Sequence, residues 1–330
     1  MKAARIHSFG GPEVLQVEEV EAPKSKGGEV LVRVGAASVN PVDYKIRQGE
    51  FSKVSQHDLP IILGRDVCGT VEGNPGKSGE VMALLNWGAG GYAEIVAVPE
   101  ALCVPKPGNL SAVEAAAVPL AAMTAWQGLF DHGQLQKGQR VLIHAGSGGV
   151  GHFAVQLAAT RGSTVISTAS KDNLDFVKSL GAETVIDYQS QRFEDVVSEV
   201  DVVFDLVGGE TRERSWKVLR CGGFLVSTLG QPRESGAGDL KPRQGVSRQQ
   251  EAIPATRCKV ASASPHTDAS QPDAAWMSRL QRECASKKSR VNSHDQLKSY
   301  VWPIGDRQSS TLGQPTPAEP PDRPRGLTPQ

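Results

Sequence analysis

The most constraining feature of this chain is the run RVLIHAGSGGVGHFAVQLAA at residues 140–159, where an apolar strand enters a glycine-rich turn and then a helix. In such a junction, Gly146 would permit the tight turn and Gly148 would let the backbone approach a phosphate. Gly151 would let the helix pack closely on the strand. The exposed amides and the positive helix end would then bind an anion. A glycine-rich surface turn is the alternative interpretation.

Short apolar runs alternate with helical patterns from residue 139 onward. The predicted strands are 140–145, 164–168, 184–187, 201–207 and 223–228, and the predicted helices are 149–160, 171–180, 192–200 and 210–219. Repeated strand–helix units imply a parallel sheet covered on both faces. The glycine run therefore predicts a dinucleotide site formed by Gly146, Ser147, Gly148, Gly149, Val150 and Gly151.

The second predicted strand ends in Thr168-Ala169-Ser170-Lys171, without the carboxylate that usually binds the ribose hydroxyls of NAD. Ser170 and Lys171 instead offer a hydroxyl and a cation to a 2′-phosphate, which favours NADPH over NADH. Asp172 is interpreted as part of a helix cap. A solvated residue at a helix start is the alternative for Lys171.

The first 115 residues have a different pattern. Predicted strands at 3–7, 15–20, 29–37, 66–72, 80–84 and 92–98 indicate a compact, mostly antiparallel β domain. A capping-box pattern at Ser111 and Glu114 then begins a helical, Ala-rich segment that runs to residue 130. The predicted domains are therefore 1–115 and 116–231.

Residues 232–330 are predicted to form a disordered, low-complexity tail. From 231 to 330 only eleven residues are Leu, Ile or Val and none is Phe, too few for a stable core. Fifteen basic against ten acidic residues give this region a charge of +5. The basic residues are scattered and not interleaved with aromatic ones, so nucleic-acid binding is not expected.

The cysteines and the apolar pattern bear on location. Five Cys at wide, irregular spacing include no CxxC pair, which argues against a disulfide framework and favours a reducing compartment. No run of 18 apolar residues occurs, and the first residues lack the apolar core of a signal peptide. We therefore expect a cytoplasmic protein without membrane contact.

Five motifs in order carry a family resemblance: ASVNPVDYKIRQG at 37–49, LGRDVCGTV at 63–71, VPLAAMTAWQGL at 118–129, AGSGGVG at 145–151 and DLVGGE at 205–210. Over about 230 residues the chain resembles the zinc-independent quinone oxidoreductase branch of the medium-chain dehydrogenase/reductase superfamily. The resemblance implies an α/β protein with a GroES-like, mostly β N-terminal domain and a Rossmann-type parallel domain. It also implies a homodimer.

The same resemblance bears on metal and substrate. Zinc-using relatives carry Cys and His at the places of Asn40 and Arg65, and neither residue here can supply a zinc ligand. The resemblance therefore implies no metal, and transfer of a hydride from NADPH to a quinone or an α,β-unsaturated carbonyl. Without zinc, alcohol oxidation by an NADH-dependent alcohol dehydrogenase is disfavoured.

By resemblance, Asn40, Asp43 and Tyr44 line the catalytic cleft, and Tyr44 is the candidate proton donor or substrate hydrogen-bonding group. Thr124 would contact the nicotinamide or its ribose, while Tyr188 and Val207 join the cofactor-binding residues. The alternatives are structural. Asn40 would begin a turn, Asp43 would pair with Lys45 or Arg47, Tyr44 would belong to the core, and Tyr188 would pack on the sheet.

The resemblance ends after residue 231. The expected apolar strands do not appear there, so the parallel sheet is predicted to lack its last strand and the β domain its returning segment. Such losses would expose a sheet edge and apolar surface. A degenerate, catalytically impaired dinucleotide-binding protein is therefore the alternative function.

Overall fold

A computed structural model of the protein describes residues 1–73 and 79–229, together with the backbone of two short strands at 259–262 and 301–303. The strands of these residues are β1 (Lys2–Ile6), β2 (Leu15–Glu19), β3 (Glu29–Ser38), β4 (Ile61–Ile62), β5 (Asp66–Glu72), β6 (Glu80–Leu84), β7 (Ile95–Pro99), β8 (Cys103–Pro105), β9 (Arg140–Ile143), β10 (Thr164–Ala169), β11 (Thr184–Asp187), β12 (Val200–Asp205), β13 (Leu219–Ser227), β14 (Lys259–Ser262) and β15 (Val301–Pro303).

The helices are shorter than the sequence predicts. They are α1 (Pro41–Gln48), α2 (Ala112–Ala116), α3 (Pro119–Trp126), α4 (Gly151–Thr160), α5 (Leu174–Ser179) and α6 (Gly209–Ser215). The predicted segment from 111 to 130 divides at Pro119, which cannot donate a backbone hydrogen bond. The predicted helix at 192–200 is wrong, because only one 3-10 turn, Phe193–Asp195, forms there.

The N-terminal part is an antiparallel β structure, as predicted. Strands β15, β3, β5, β6 and β8 form one sheet in that order, and β7 pairs with the first half of β3, from Glu29 to Arg33. Strands β2, β1 and β4 form a smaller sheet. Along β3, Val30, Val32 and Val34 are buried while the residues between them are more exposed. This period of two places one face of the strand on a core.

The second part is a parallel sheet in the order β11-β10-β9-β12-β13-β14. The chain starts in the middle at β9, moves outward to β11, and then returns beside β9 to build the other half. Its central strands are buried and apolar, as expected of a sheet covered on both faces. In this order, the carboxyl ends of β9 and β12 flank the point where the strand order reverses, which is the usual binding crevice.

The prediction that the last strand is missing is wrong. Strand β14 pairs in parallel with β13, from Phe224 opposite Lys259 to Ser227 opposite Ser262. Strand β15 pairs antiparallel with β3 and so returns to the β-rich part. Pairing uses backbone groups that almost every residue carries, so short segments of ordinary composition can complete a sheet without a recognisable apolar pattern. The rest of the predicted disordered tail lies outside the described residues.

One apolar core joins the two parts. It includes Ala36, Cys68 and Met82 from the antiparallel sheet and Val141 and Phe204 from the parallel sheet. Helix α3 lies between them, and all eight of its residues are buried. A helix that is apolar on all sides needs cover on all sides, so α3 links the two sheets.

Among the described residues, no helix is long and apolar enough to cross a membrane.

Candidate cofactor and substrate site

The loop between β9 and α4 is held against the end of strand β10. The amide of Ala145 donates to the hydroxyl of Thr168 at 3.1 Å, and the amide of Gly146 donates to the Thr168 carbonyl at 2.9 Å. Ala145 adopts a left-handed φ of 55°, which is unusual for a residue with a side chain. The sharp turn that the sequence assigned to Gly146 therefore occurs one residue earlier.

The four glycines of the loop differ in the space around them. A side chain at Gly151 would overlap the carbonyl oxygen of Ala145, and one at Gly146 would overlap the Ser167 hydroxyl. A Cβ at Gly148 would lie 3.2 Å from the Ala145 oxygen, whereas nothing lies within 4 Å of one at Gly149. The close approach of helix and strand at Gly151 agrees with the sequence prediction, and the open space at Gly149 leaves room for a ligand.

Several amides of this loop have no acceptor in the protein. Within the described part of the chain, the backbone N–H groups of Ser147, Gly149, Val150 and Gly151 donate to no other residue. They lie at and just before the first turn of α4, where helix geometry itself leaves amides unpaired. Consecutive unpaired amides at a helix N-terminus form an anion site. The geometry therefore fits a pyrophosphate.

A buried histidine supports the loop from behind. His144 is fully buried, with Nε2 at 2.9 Å from the Ser215 hydroxyl and Nδ1 at 3.3 Å from the Thr168 hydroxyl. The Ser215 hydroxyl donates to the Thr211 carbonyl, so His144 donates through Nε2 and accepts at Nδ1. Burial lowers the pKa of His144 to about 4, which keeps the ring neutral. His144 therefore has a structural role behind the loop.

The other predicted cofactor residues lie at the same edge of the parallel sheet. Ser170 and Lys171 follow β10, Tyr188 follows β11, and Val207 follows β12. Lys171 is exposed, and the exposed fractions of Tyr188 and Val207 are 59% and 48%. The Ser170 hydroxyl accepts from the Asn173 side chain at 2.8 Å. Parallel strands bring these residues together although they are far apart in sequence.

The predicted catalytic residues are divided between surface and interior. Tyr44 on α1 has a side chain that is 45% exposed. Asp43 is only 2% exposed and accepts from the Asn40 amide at 2.7 Å, the Gly64 amide at 3.2 Å and the Tyr92 hydroxyl at 3.1 Å. It thus pairs with neither Lys45 nor Arg47, and its carboxylate instead caps the first turn of α1.

A second buried carboxylate, Asp66, lies beside Asn40. Its Oδ2 accepts from the Ser38 hydroxyl at 2.6 Å and from Nδ2 of Asn40 at 2.8 Å, and its Oδ1 accepts from the Leu120 amide at 2.9 Å. Burial raises the pKa of Asp66 to about 7 and that of Asp43 to about 6. The two carboxyls therefore ionise near neutral pH.

Two neighbours complete this region. Thr124 is buried in α3, and its hydroxyl donates to the Leu120 carbonyl at 2.8 Å, so its oxygen lone pairs stay free to accept. The Arg65 guanidinium lies 3.6 Å from the centre of the Trp87 ring and donates to the Leu85 carbonyl. Burial lowers the pKa of Arg65.

Among the described residues, no group of three or more His, Cys, Asp or Glu side chains could hold a metal ion.

Ser38, Asp66 and Tyr92 were not predicted as site residues from the sequence. Asp66 stands within a strand that is otherwise buried and apolar over Val67 and Cys68, and a carboxylate in such a strand is a signal that could have found it. Tyr92 carried no such signal, because it is distant from Asp43 in sequence. Its hydrogen bond to Asp43 depends on the antiparallel pairing of the surrounding strands.

Comparison with known proteins agrees with a fold of two parts. Residues 26–108 match the family model described as the alcohol dehydrogenase GroES-like domain, and residues 149–247 match that of the zinc-binding dehydrogenases. The rat quinone oxidoreductase is 30% identical over 262 residues, which cover 76% of this chain and 78% of the relative. An Arabidopsis thaliana NADPH-dependent alkenal/one oxidoreductase is 39% identical over 246 residues, covering 70% and 63%.

A solved structure shares the same fold. The quinone oxidoreductase from Thermus thermophilus, solved also with NADPH, is 34% identical, with a TM-score of 0.62 over 71% of this chain and 75% of that one. The chain spans only 62–64% of the length of the four plant relatives that are 39–40% identical to it.

The contact between Gly151 and Ala145 can be tested by substitution. We expect Gly151→Ala to lower the free energy of unfolding by about 1–3 kcal/mol, because the new methyl group meets backbone, and to weaken NADPH binding at least tenfold. Gly149→Ala is the matched control and should change the free energy of unfolding by under about 1 kcal/mol. Urea unfolding and fluorescence titration measure both, and equal stabilities would contradict the predicted clash.

The buried carboxyl of Asp66 predicts a pH dependence. Its pKa is about 7 in the folded protein and about 3.9 in an unfolded chain, so the folded state binds the proton more tightly. Its contribution to stability is therefore complete below about pH 4 and is lost as pH rises through 7. In Asp66→Asn, which retains Asp43, Arg65 and Tyr92, the free energy of unfolding should fall less between pH 5 and 8. Parallel slopes in urea unfolding would disprove the raised pKa.

Proposed function

This chain belongs to the quinone oxidoreductase branch of the medium-chain dehydrogenase/reductase superfamily, and on that premise we propose that it is an NADPH-dependent reductase of quinones or α,β-unsaturated carbonyls. The observation that carries the proposal is the row of unpaired amides from Ser147 to Gly151, with Ser170 and Lys171 at the end of the next strand. Together they fit a dinucleotide that bears an additional phosphate.

The assigned residues bind and orient. The loop amides hold the pyrophosphate, Lys171 and Ser170 face the 2′-phosphate, and Tyr188 and Val207 border the adenosine side. NADPH, when bound, supplies the hydride. Thr124 offers its oxygen lone pairs to the nicotinamide side, while its own proton is committed to the Leu120 carbonyl. Bringing donor and acceptor together in a cleft that excludes water is the main contribution of the protein.

On the substrate side, Asn40 and Tyr44 are the residues we assign to the cleft. Both Nδ2 bonds of Asn40 go to Ser38 and Asp66, so its Oδ1 is the atom available to the substrate. The exposed Tyr44 phenol can donate the proton that follows the hydride. Asp43 acts from below, where it holds the Asn40 amide and the Tyr92 hydroxyl.

We propose that the reaction proceeds without zinc. By the family resemblance, Asn40 and Arg65 occupy the places of zinc ligands. The Asn40 amide nitrogen donates to Asp66, and the Arg65 guanidinium lies on the Trp87 ring, so neither side chain is a ligand for zinc. Quinones and enones are already electrophilic, so they need less activation than an alcohol.

Domain boundaries near 115 and 231 and a homodimer are further parts of this proposal. The unpaired Cys68, Cys103 and Cys221 support a reducing, cytoplasmic location.

The decisive experiment follows the loss of reduced-nicotinamide absorbance with a small quinone and, separately, with a short enone. Turnover with NADPH is expected, and zinc chelation should not change the rate. Thermal protection by NADPH without turnover of any such acceptor would instead identify a cofactor-binding protein that lacks activity.

Preference for the phosphorylated cofactor can be tested at Lys171. Lys171→Ala should raise the Kd for NADPH about tenfold, because one charge-assisted bond to the 2′-phosphate is lost, while the Kd for NADH stays within about twofold. Lys178→Ala removes an equally exposed cation from the same region and should leave both constants unchanged. Fluorescence titration at two salt concentrations measures them, and equal losses for the two cofactors would exclude Lys171 from phosphate recognition.

The proton donor can be tested with Tyr44→Phe. This change keeps the ring and removes only the hydroxyl, so NADPH affinity should stay constant while kcat falls roughly 10²-fold or more. Steady-state kinetics across pH 6–10 provides the measurement. A kcat within a factor of two of the original protein at every pH would show that the proton comes from solvent.

A further inference from the structure

One carboxylate contacts both sides of the proposed site. Asp66 begins β5 and is completely buried. Its Oδ2 accepts from Ser38 and Asn40, at the junction between β3 and α1, and its Oδ1 accepts from the Leu120 amide at 2.9 Å, in the first turn of α3. A single planar group therefore joins the segment assigned to the substrate with the helix assigned to the nicotinamide.

All the partners of Asp66 donate. The Leu120 and Asn40 groups are N–H donors. Ser38 accepts from Asn40 at 2.9 Å and gives its own proton to Asp66. Only an ionised carboxylate accepts all these bonds at once. Its negative charge also lies at the N-terminus of α3. There the helix dipole favours an anion, and the Leu120 amide has no acceptor within the helix.

These bonds orient the two groups that face the ligands. Asn40 commits both of its Nδ2 hydrogens inward, to Asp66 and Ser38, which leaves Oδ1 for the cleft. On the other side, Leu120 gives its amide to Asp66 and receives the Thr124 hydroxyl proton on its carbonyl at 2.8 Å. The direction of the Thr124 lone pairs therefore depends on the helix turn that Asp66 holds.

We propose that Asp66 is the positioning residue of this enzyme, which sets the placement of the Asn40 carbonyl oxygen relative to the Thr124 hydroxyl. The inference rests on the proposed function. It adds to that function a residue that neither contacts a ligand nor transfers a proton. Asp66 is too deeply buried to touch substrate, so it acts through Asn40 and Leu120. A small shift between hydride donor and acceptor strongly lowers the rate.

The charged and titratable surroundings of Asp66 agree with this role. Asp43 on α1, Tyr92 before β7 and Arg65 in the preceding loop all interact with this buried cluster. Arg65 supplies positive charge near both carboxylates. The experiments below are therefore made at pH 8, where Asp66 is ionised.

The test compares Asp66→Asn with Cys68→Ala at pH 8. Asparagine has one acceptor oxygen in place of two, so its NH2 group would meet either the Asn40 and Ser38 donors or the Leu120 amide. In either orientation the placement of Asn40 relative to α3 must change. We expect kcat to fall at least tenfold while the Kd for NADPH changes less than threefold. Cys68 is fully buried on the same strand, and Cys68→Ala perturbs packing without touching these bonds. It should lower the Tm but preserve kcat.

A reciprocal variant separates positioning from general damage. In the double variant Asn40→Asp with Asp66→Asn, the new amide donates to the new carboxylate and an oxygen again faces the cleft, so part of the lost kcat should return. An unchanged kcat in folded Asp66→Asn overturns the inference. If Asp66→Asn does not fold, Ser38→Ala replaces it. That change removes one bond to Asp66 and should lower kcat about threefold, and no effect would overturn the inference.

Failure of the proposed function would look different. If the original protein binds NADPH but turns over no quinone or enone, the reductase proposal fails while the inference on Asp66 is still tested. Hydrogen exchange at the Leu120 amide should then accelerate in Asp66→Asn, and the emission of bound NADPH should shift. Exchange and emission identical to those of the original protein would overturn the positioning role.

Discussion

The contact between α4 and the end of β9 determines the geometry of the proposed cofactor side. Because Gly151 has no side chain, the helix approaches the Ala145 carbonyl, and Ala145 takes a left-handed conformation that few residues with a side chain adopt. Thr168 stabilises this turn by accepting the Ala145 amide on its hydroxyl and the Gly146 amide on its carbonyl. The amides of Ser147, Gly149 and Val150 that follow donate to no other described residue, so they remain available to an anion.

The proposed substrate side depends on buried charge. Asp43 and Asp66 lie within the interior, where burial raises the pKa of both. Such groups lower stability at neutral pH, and they persist when surrounding hydrogen bonds are well arranged. In this protein the bonds extend from Tyr92 through Asp43 to Asn40 and Asp66, and then to α3. Polar groups of the β-rich part are thereby joined to the first turn of α3.

Local patterns predicted much of this protein. The strand, glycine loop and helix at 140–160 followed from residue types at fixed spacing, and the order of strands and helices implied the parallel sheet. Predictions were weaker where one short segment depends on another. Strand β14 has four residues without a strong apolar pattern, and it exists through backbone pairing with β13. The left-handed turn fell on Ala145 and not on Gly146, because the contact with Gly151 determines the geometry.

By itself, the sequence determined the class of each part and the glycine loop with its neighbouring Ser170 and Lys171. These depend on which residue types occur and on their local spacing. Only the tertiary structure decided that Asp43 lies inside, that Tyr92 holds it, and that Asp66 connects Asn40 with Leu120. Such bonds join residues 26 to 54 positions apart, so they form only after the strands and α3 have packed together.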